Sequence, residues 1–330
     1  MKRITILHSL RAPVPGETRY SSHMAGTENS VVRVRFFTWP NAILGKYEIF
    51  HLHWPEHLVG RVGGAKGAAR RLLVLLLLLR LRVTSTPVVR TLHNLEPHSG
   101  KETDCDAILG RGFDRITKLE IHLVPETENL IASRSVEIPH GGYEEPFASF
   151  PRSPQVDQRV LYFGLLKGYK GVERLVDVFP QVRGAVQLRI VGSPVDPAVT
   201  RAVREAQQKD DRITSRLDFV SDGELVREIT AAQLVVFPYT EMHSSGAVLV
   251  ALSLARKVLV PDSSTGRALR REFGSSWVMT FRGPLSEPHI VEALKWARTG
   301  GHGQTPPLGD RAWSRVSAAH EAAYRSVLSA

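Results

Sequence analysis

"FPYTEMHSSGAVLVALSLARKVLVP", residues 237 to 261, opens on the end of an apolar run and then sets one carboxylate, Glu241, ahead of Ser244, Ser245 and Gly246. An apolar helical stretch follows at once. A strand that delivers an acid and a fresh helix start into one loop suits a phosphorylated sugar, because helical N–H groups and hydroxyls meet the phosphate while the acid accepts from sugar hydroxyls. A plainer reading competes for each residue alone: Ser244 caps the helix and Glu241 favours its dipole, each worth about 1 kcal/mol.

Outward from this stretch, short β-rich runs alternate with helical patterns. The first series is "RITILHS", "VVRVRFF", "YEIFHLHW", "PVVRTLHN" and "IHLVP", and the second is "RVLYFGLL", "QLRIVGS", "RLDFV", "LVVFPY", "KVLVP" and "WVMTF". Strands alternating with helices predict parallel sheets in doubly wound α/β domains, and two series predict two of them. A Gly-, Pro- and Ser-rich stretch from 141 to 159 lies between the series. We therefore expect a first domain over 1–145, a linker over 146–158 and a second domain over 159–308. Residues 309–330 place Trp313, Val316, Ala319 or His320, and Ala323 or Tyr324 at the spacing of one face of an amphipathic helix packing towards the first domain.

With 330 residues, 42% of them hydrophobic and 23% charged, the chain has the composition of a folded globular protein with room for two cores. Its 43 Lys and Arg outnumber 33 Asp and Glu, for a net charge of +10 that attracts polyanions of any kind. Cys105 is the single cysteine, which excludes an internal disulfide and fits a reducing compartment. No secretory signal is visible at the start, so a cytoplasmic location is expected. "RLLVLLLLLRLR", residues 71 to 82, is far too short to span a bilayer, which takes roughly 20 apolar residues. Its cationic surroundings, Arg61, Lys66, Arg70, Arg71, Arg80, Arg82 and Arg90 with no acid between His57 and Leu95, suit a segment lying on an anionic membrane. It equally suits a buried helix with solvated arginine ends, and both readings hold if they belong to different faces.

"VLYFGLLKGYKGVERLVDVF", residues 160 to 179, ends a strand in Gly164, carries Lys167 and Lys170 in a short loop and opens a helix after Gly171. Glycine admits a ligand to the backbone and the lysines supply charge, so a diphosphate fits here; solvated lysines on an ordinary turn are the bland alternative. The spacing is neither a Walker A loop nor a dinucleotide fingerprint. Zinc-finger, RNP-like and helix-turn-helix patterns are absent, so no nucleic-acid partner is expected. Hydrolytic nucleophile chemistry has no support either.

The lysine loop followed some 70 residues later by the Glu241 stretch resembles the donor-binding half of GT-B glycosyltransferases over most of residues 160 to 300. In the first half, "HLHWPEH" at 51–57, "TLHNLEPH" at 91–98 and "SLRAPVPGETRYSS" at 9–22 each follow or end a strand. Together with "SSGAVLVALSLARKV", the "HWPE" and "HNLEPH" segments are similar to bacterial glycolipid β-1,4-mannosyltransferases of the xanthan-assembly type. The resemblance implies a GT-B fold, two Rossmann-like domains facing a crevice with the C-terminal helix crossing back. It implies GDP-mannose as co-substrate, a lipid-linked saccharide acceptor, no cofactor, no bound metal and a place at the cytoplasmic face of the plasma membrane. One departure matters: the second acid of the retaining Glu-x7-Glu motif is missing, with Leu249 eight residues after Glu241 and Val250 at the aligned position. An inverting course is therefore expected, with a UDP-sugar transferase or a silent nucleotide-sugar binder as the alternatives.

An inverting transfer needs a base at the acceptor hydroxyl and cationic or amide groups at the departing diphosphate. The base candidates are Glu56, then His93, then Glu17, with His53, Trp54, Asn94 and Glu96 on the acceptor side. The donor side comprises Gly164, Lys167, Lys170, Gly192, Glu241, Ser244, Ser245 and Gly246. A metal at His51, His53 and His57 is possible by residue type alone; the bland reading has His51 and His53 on one side of a strand, satisfied by hydrogen bonds, with Trp54 in the core.

Overall fold

The computed structural model describes residues 3–14, 20–59, 64–93, 104–123, 134–242, 246–299 and 304–329. The chain divides into one compact unit of Met1–Gly141 with Asp310–Ala330 and a second of Gly142–Gly309.

The first unit holds a parallel sheet of β1 (Ile4–His8), β2 (Val32–Phe36), β3 (Ile49–His53), β4 (Val88–Leu92), β5 (Thr117–His122) and β6 (Ser135–Glu137), in the order β2-β1-β3-β4-β5-β6. The chain moves to one side from β1 to β2 and then returns to the other side of β1 with β3. That reversal puts the switch point of the sheet at the carboxyl ends of β1 and β3, where open α/β sheets bind ligands. Apolar side chains cover both faces, as parallel strands require. On one face Leu7, Phe50, Leu52 and Val88 pack with Val74, Leu77, Leu78 and Leu81 of the helix Gly64–Val83. On the other, Ile6, Ile49, Val89 and Ile121 meet Val316, Ala323, Tyr324 and Val327 of the helix Trp313–Leu328. Gly141 makes the return possible, because a Cβ there would stand 2.3 Å from the Trp313 ring. Arg311 then donates to the His140 carbonyl at 2.8 Å and ties the segment down.

The second unit holds β7 (Arg159–Phe163), β8 (Gln187–Val191), β9 (Ile213–Arg216), β10 (Leu234–Val236), β11 (Lys257–Pro261) and β12 (Val278–Phe281), also parallel, in the order β12-β11-β10-β7-β8-β9. Its switch point lies between β7 and β10. β10 is fully buried and sits beside β7, so the loops that leave both strands are forced into the same space.

Two local expectations shift. Residues 146–158 do not form a free linker: Phe147 is 2% exposed and packs with Tyr143 in the second core, and Tyr143 N–H donates to Ser253 Oγ at 2.9 Å. The strand expected in "RLDFV" falls instead on Ile213–Arg216, where Ile213 is buried, while Leu217 and Val220 pack from the following loop. β6 carries no periodic signal of its own, because a three-residue edge strand with two exposed positions shows no alternation worth the name.

Candidate functional site

In the second unit the two turns flanking the switch point meet. β7 ends at Gly164 (φ +130°), and the chain passes through Lys167 and a short 3-10 turn, Gly168–Lys170, to Gly171 (φ +66°) and the helix Val172–Val178. From the other side, the segment after β10 lies against that turn. Thr240 donates its N–H to the Tyr169 carbonyl at 3.0 Å, and its hydroxyl donates to the same oxygen at 3.1 Å. Gly171 is required by this approach, since a Cβ would stand 1.9 Å from the Pro238 carbonyl oxygen. Gly192, at the end of β8, closes the other side in the same way: a Cβ there would lie 1.8 Å from the Gly164 carbonyl oxygen. So Gly164, Lys167, Lys170, Gly192 and Glu241 come together around one strand edge.

Lys170 Nζ sits 3.8 Å from the centre of the Tyr239 ring and 5.1 Å from that of Tyr169. Burial, reinforced by the neighbouring Lys167 charge, lowers its pKa to about 8. Its ammonium is thus held in poor solvation and gains from an arriving anion. Glu241 is exposed, and its charge adds to burial in raising the Tyr169 hydroxyl. Gly246 starts the helix Gly246–Ser253; Ser244 and Ser245 lie outside the described residues. Leu249 and Val250 are both buried in the second core, so the place of the missing second acid is a packing position here.

A separate cavity of about 790 Å³ lies by β12, lined by Arg267, Arg270, Arg271, Arg282, His289 and Asp262 among others. Its charge is partly answered already, as Asp262 pairs with Arg267 at 3.3 Å and Arg282 at 2.9 Å. It also stands at the sheet's edge and not at its switch point.

In the first unit, strand ends bring histidines to the switch point. His8 closes β1 and pairs in register with His51 of β3, while His53, two residues on, shares that face with Thr91 of β4. His8 Nδ1 lies 3.0 Å from His53 Nε2, and His53 Nδ1 lies 3.1 Å from His93 Nε2. His51 engages both ring nitrogens with hydroxyls, Tyr324 Oη and Thr91 Oγ1, each at 2.7 Å. Tyr20, His23, His140 and Trp313 extend the group, with Tyr20 edge-on to His93 at 4.6 Å between centres. Burial lowers the pKa of His8 and His23 to about 3 and of His140 and His320 to about 4; it holds His51, His53 and His93 well below the ordinary value, with neighbouring histidines adding to the effect. All are neutral at pH 7.

Ring nitrogens of His8, His51 and His53 lie within 4.8 Å of one another, the separation of a loose metal cage. Yet both nitrogens of His51 and of His53 are spent on hydrogen bonds, and His57, the third member of the sequence's metal reading, is exposed on the next helix. The arrangement is a hydrogen-bonded imidazole cluster. Trp54 is not a core residue: it is half-buried, has a left-handed backbone (φ +44°) and stacks on His93 at 3.7 Å and 18°. Glu56 lies in the first turn of the helix Pro55–Val59, partly exposed. Glu17, Asn94 and Glu96 lie outside the described residues. Sequence reasoning missed His8, Tyr324 and Tyr20, although one signal was present: β1, β3 and β5 end in histidine and β4 is followed by one, and parallel strands bring their last residues to one edge.

Residues 157–277 match the model of the family described as glycosyl transferases group 1. A GDP-mannose:glycolipid 4-β-D-mannosyltransferase of Xanthomonas campestris pv. campestris is 38% identical over 329 residues, covering 99% of this chain and 93% of that protein. Among solved structures, Anabaena HepE in complex with UDP and glucose superposes with a TM-score of 0.67 at 12% identity, over 98% of this chain and all of the other. Sucrose-phosphate synthase from Thermosynechococcus elongatus gives 0.66 at 15% identity, over 99% of this chain and 100% of that one. At such identities the structures speak for the fold, and the fold is GT-B.

Proposed function

The chain belongs to the family of the GDP-mannose:glycolipid 4-β-D-mannosyltransferases, within the group 1 glycosyl transferases, and from that membership we propose that it transfers mannose from GDP-mannose to a glycolipid acceptor with inversion. The observation that carries the reading on the donor side is the meeting of the Lys170 and Thr240 turns at the switch point of the second sheet. Lys170 and Lys167 offset charge on the diphosphate as the sugar departs, and Glu241 accepts from sugar hydroxyls. On the acceptor side Glu56 takes the proton of the attacking hydroxyl, while Trp54 and His93 present a stacked aromatic surface of the kind sugars bind. No metal enters this scheme, because lysine ammonium groups do the work of charge neutralisation.

The acceptor is a lipid, and the helix Gly64–Val83 supplies a membrane face. No helix among the described residues is long and apolar enough to cross a bilayer. Leu72, Leu75, Leu76, Leu79 and Val83 recur at helical spacing and are 57, 53, 41, 58 and 75% exposed, opposite the buried Val74, Leu77, Leu78 and Leu81. So large an apolar stripe on one helix is a contact surface for something apolar. The cationic share of this reading needs correction. Arg70 donates to the Leu58 and His57 carbonyls, and Arg80 donates to the Gly45 carbonyl and stacks on Tyr47, so both serve the fold. We propose that the leucine face, helped by Lys66 and Arg82, rests on the inner face of the plasma membrane.

The test is incubation of the full chain with GDP-mannose and a lipid-linked oligosaccharide. Release of GDP that depends on acceptor, with a β-configured mannosyl product, is expected. Turnover with a UDP-sugar in place of GDP-mannose, or binding without turnover, would overturn the reading.

A further inference from the structure

The cavity beside β12 shares no lining residue with the Lys170 and Thr240 turns, and strand register builds its wall. β11 and β12 pair in parallel up to Pro261 and Phe281, so Asp262 and Arg282 leave the two strands side by side. The Asp262 N–H donates to the Phe281 carbonyl at 2.7 Å, which fixes both exits. The helix Ser264–Phe273 follows, and its spacing sets Arg267, Arg270 and Arg271 on one side at i, i+3 and i+4. All four arginines line the cavity, and Asp262 is the single carboxylate among its described lining residues.

Like charges at these helical separations repel, and one carboxylate does not balance four guanidinium groups. Asp262 nevertheless organises two of them. One of its oxygens accepts from Arg267 Nη1 at 3.3 Å and the other from Arg282 Nε at 2.9 Å. Neither contact is the two-bonded fork by which a carboxylate saturates the edge of a guanidinium. A guanidinium carries five N–H groups, and these side chains spend few of them. Arg267 uses Nη1 alone, on the Asp262 carboxylate and carbonyl; Arg282 uses Nε alone; Arg270 makes one long contact with Thr280 Oγ1 at 3.4 Å. Their other donors have no partner among the described residues. Arginines scattered over a surface would need no ligand, but here three under-used heads line one hollow around a shared carboxylate. At about 790 Å³ that hollow has the volume of a small-ligand site.

We propose that this cavity is a second anion site, separate from the donor site, for a phosphate or diphosphate group, with Arg267, Arg270 and Arg282 supplying the donors and Asp262 positioning two of them. Phosphate oxygens suit it because they accept paired N–H groups from several guanidinium heads at once. Two sources share that chemistry, a soluble phosphorylated molecule and the headgroup of an anionic lipid. The inference does not rest on mannosyl transfer, and a chain without transferase activity would leave it standing.

Phenylglyoxal modification of the full chain, read residue by residue by mass spectrometry, locates an anion among arginines. Inorganic pyrophosphate is expected to slow modification of Arg267, Arg270 and Arg282, while the exposed Arg183, Arg204 and Arg227 of the same unit react at an unchanged rate. Protection of all six alike, or of none, would overturn the proposal. Calorimetric titration of pyrophosphate into Lys170→Met, which weakens the donor site, supplies the affinity. Adding Arg267→Gln, Arg270→Gln and Arg282→Gln to that variant should weaken binding about 10-fold or more through lost charge-assisted hydrogen bonds. Equal affinity would overturn the proposal, as would an equal loss from Arg183→Gln, Arg204→Gln and Arg227→Gln, which remove the same charge. Phosphatidylglycerol vesicles in place of pyrophosphate distinguish the sources. Vesicles that protect the same three arginines support a lipid headgroup, and protection by pyrophosphate alone supports a soluble phosphate. Should the combined variant fail to fold, the labelling of the unaltered chain still decides.

Discussion

Thr240 and Tyr169, 71 residues apart, share one backbone hydrogen bond of 3.0 Å and a second from the Thr240 hydroxyl at 3.1 Å. That pair locks the loop leaving β10 to the loop leaving β7. The two strands are neighbours only because the chain reverses direction across the sheet at that point. The donor site proposed above is thus a consequence of topology, and its chemistry a consequence of which residues the two loops happen to carry.

Gly171→Ala tests the lock. The residue has φ +66°, where a side chain costs about 1–3 kcal/mol, and the added Cβ would meet the Pro238 carbonyl at 1.9 Å. We expect a stability loss of at least that range in denaturant unfolding, together with weakened GDP binding. Wild-type stability with the alanine in place would show that the loops are not pressed together.

Binding of a diphosphate should fall as pH rises through about 8, because Lys170 then loses the proton that its buried setting holds weakly. Linkage gives the unliganded chain the opposite slope. The unfolded state, with an ordinary lysine at 10.5, binds more protons than the folded one between about 8 and 10.5, so this group's contribution to stability rises across that window. Calorimetric titration of GDP at pH 7 and pH 9 reads the first effect; unchanged affinity would contradict it.

The first unit should be acid-labile. His8, His23, His51, His53, His93, His140 and His320 all belong to it, and all have pKa values lowered by burial. A depressed histidine remains neutral in the fold while the unfolded chain protonates near 6.5. Its stabilising effect is complete above 6.5 and is lost as pH falls towards the folded value. Each such group costs about 1.4 kcal/mol per pH unit over that window. Thermal unfolding followed from pH 7 to pH 5 should show a steep fall in Tm. A flat profile would mean that the cluster is solvated or already charged.

Replacing Leu72, Leu75, Leu76 and Leu79 by Gln should cut partition onto anionic vesicles by about 10-fold or more, because each exposed leucine brings roughly 1.5–3 kcal/mol of burial to the interface. Thermal stability should hold, since the buried face is untouched. Unaltered sedimentation with vesicles would reject the membrane face.

Much of this was legible in the sequence, and for identifiable reasons. Runs such as "RVLYF" and "KVLVP" are buried on both sides, so their continuous apolar character marks parallel strands. That Gly164, Lys167, Lys170 and Glu241 gather at neighbouring strand ends was legible because each follows an apolar run that reads as a strand. The helix Gly64–Val83 was legible as a composition but not as two faces; only packing separates the buried Leu77 from the exposed Leu76. The histidine row was hidden because His8 and His53 end two strands and His93 follows a third, and no local spacing joins them. Residues 146–158 misled because Pro and Ser conceal the anchoring of Phe147.

The central claim is that the Lys170 and Glu241 loops together hold the nucleotide sugar, and calorimetric titration of GDP-mannose into the unaltered chain, Lys170→Met and Glu241→Ala tests it most directly. The account expects Lys170→Met to weaken binding by about 10- to 100-fold, the worth of one charge-assisted hydrogen bond. Glu241→Ala should weaken the sugar nucleotide more than GDP, with both variants keeping their melting temperatures. Equal affinity for GDP-mannose in all three proteins would contradict it.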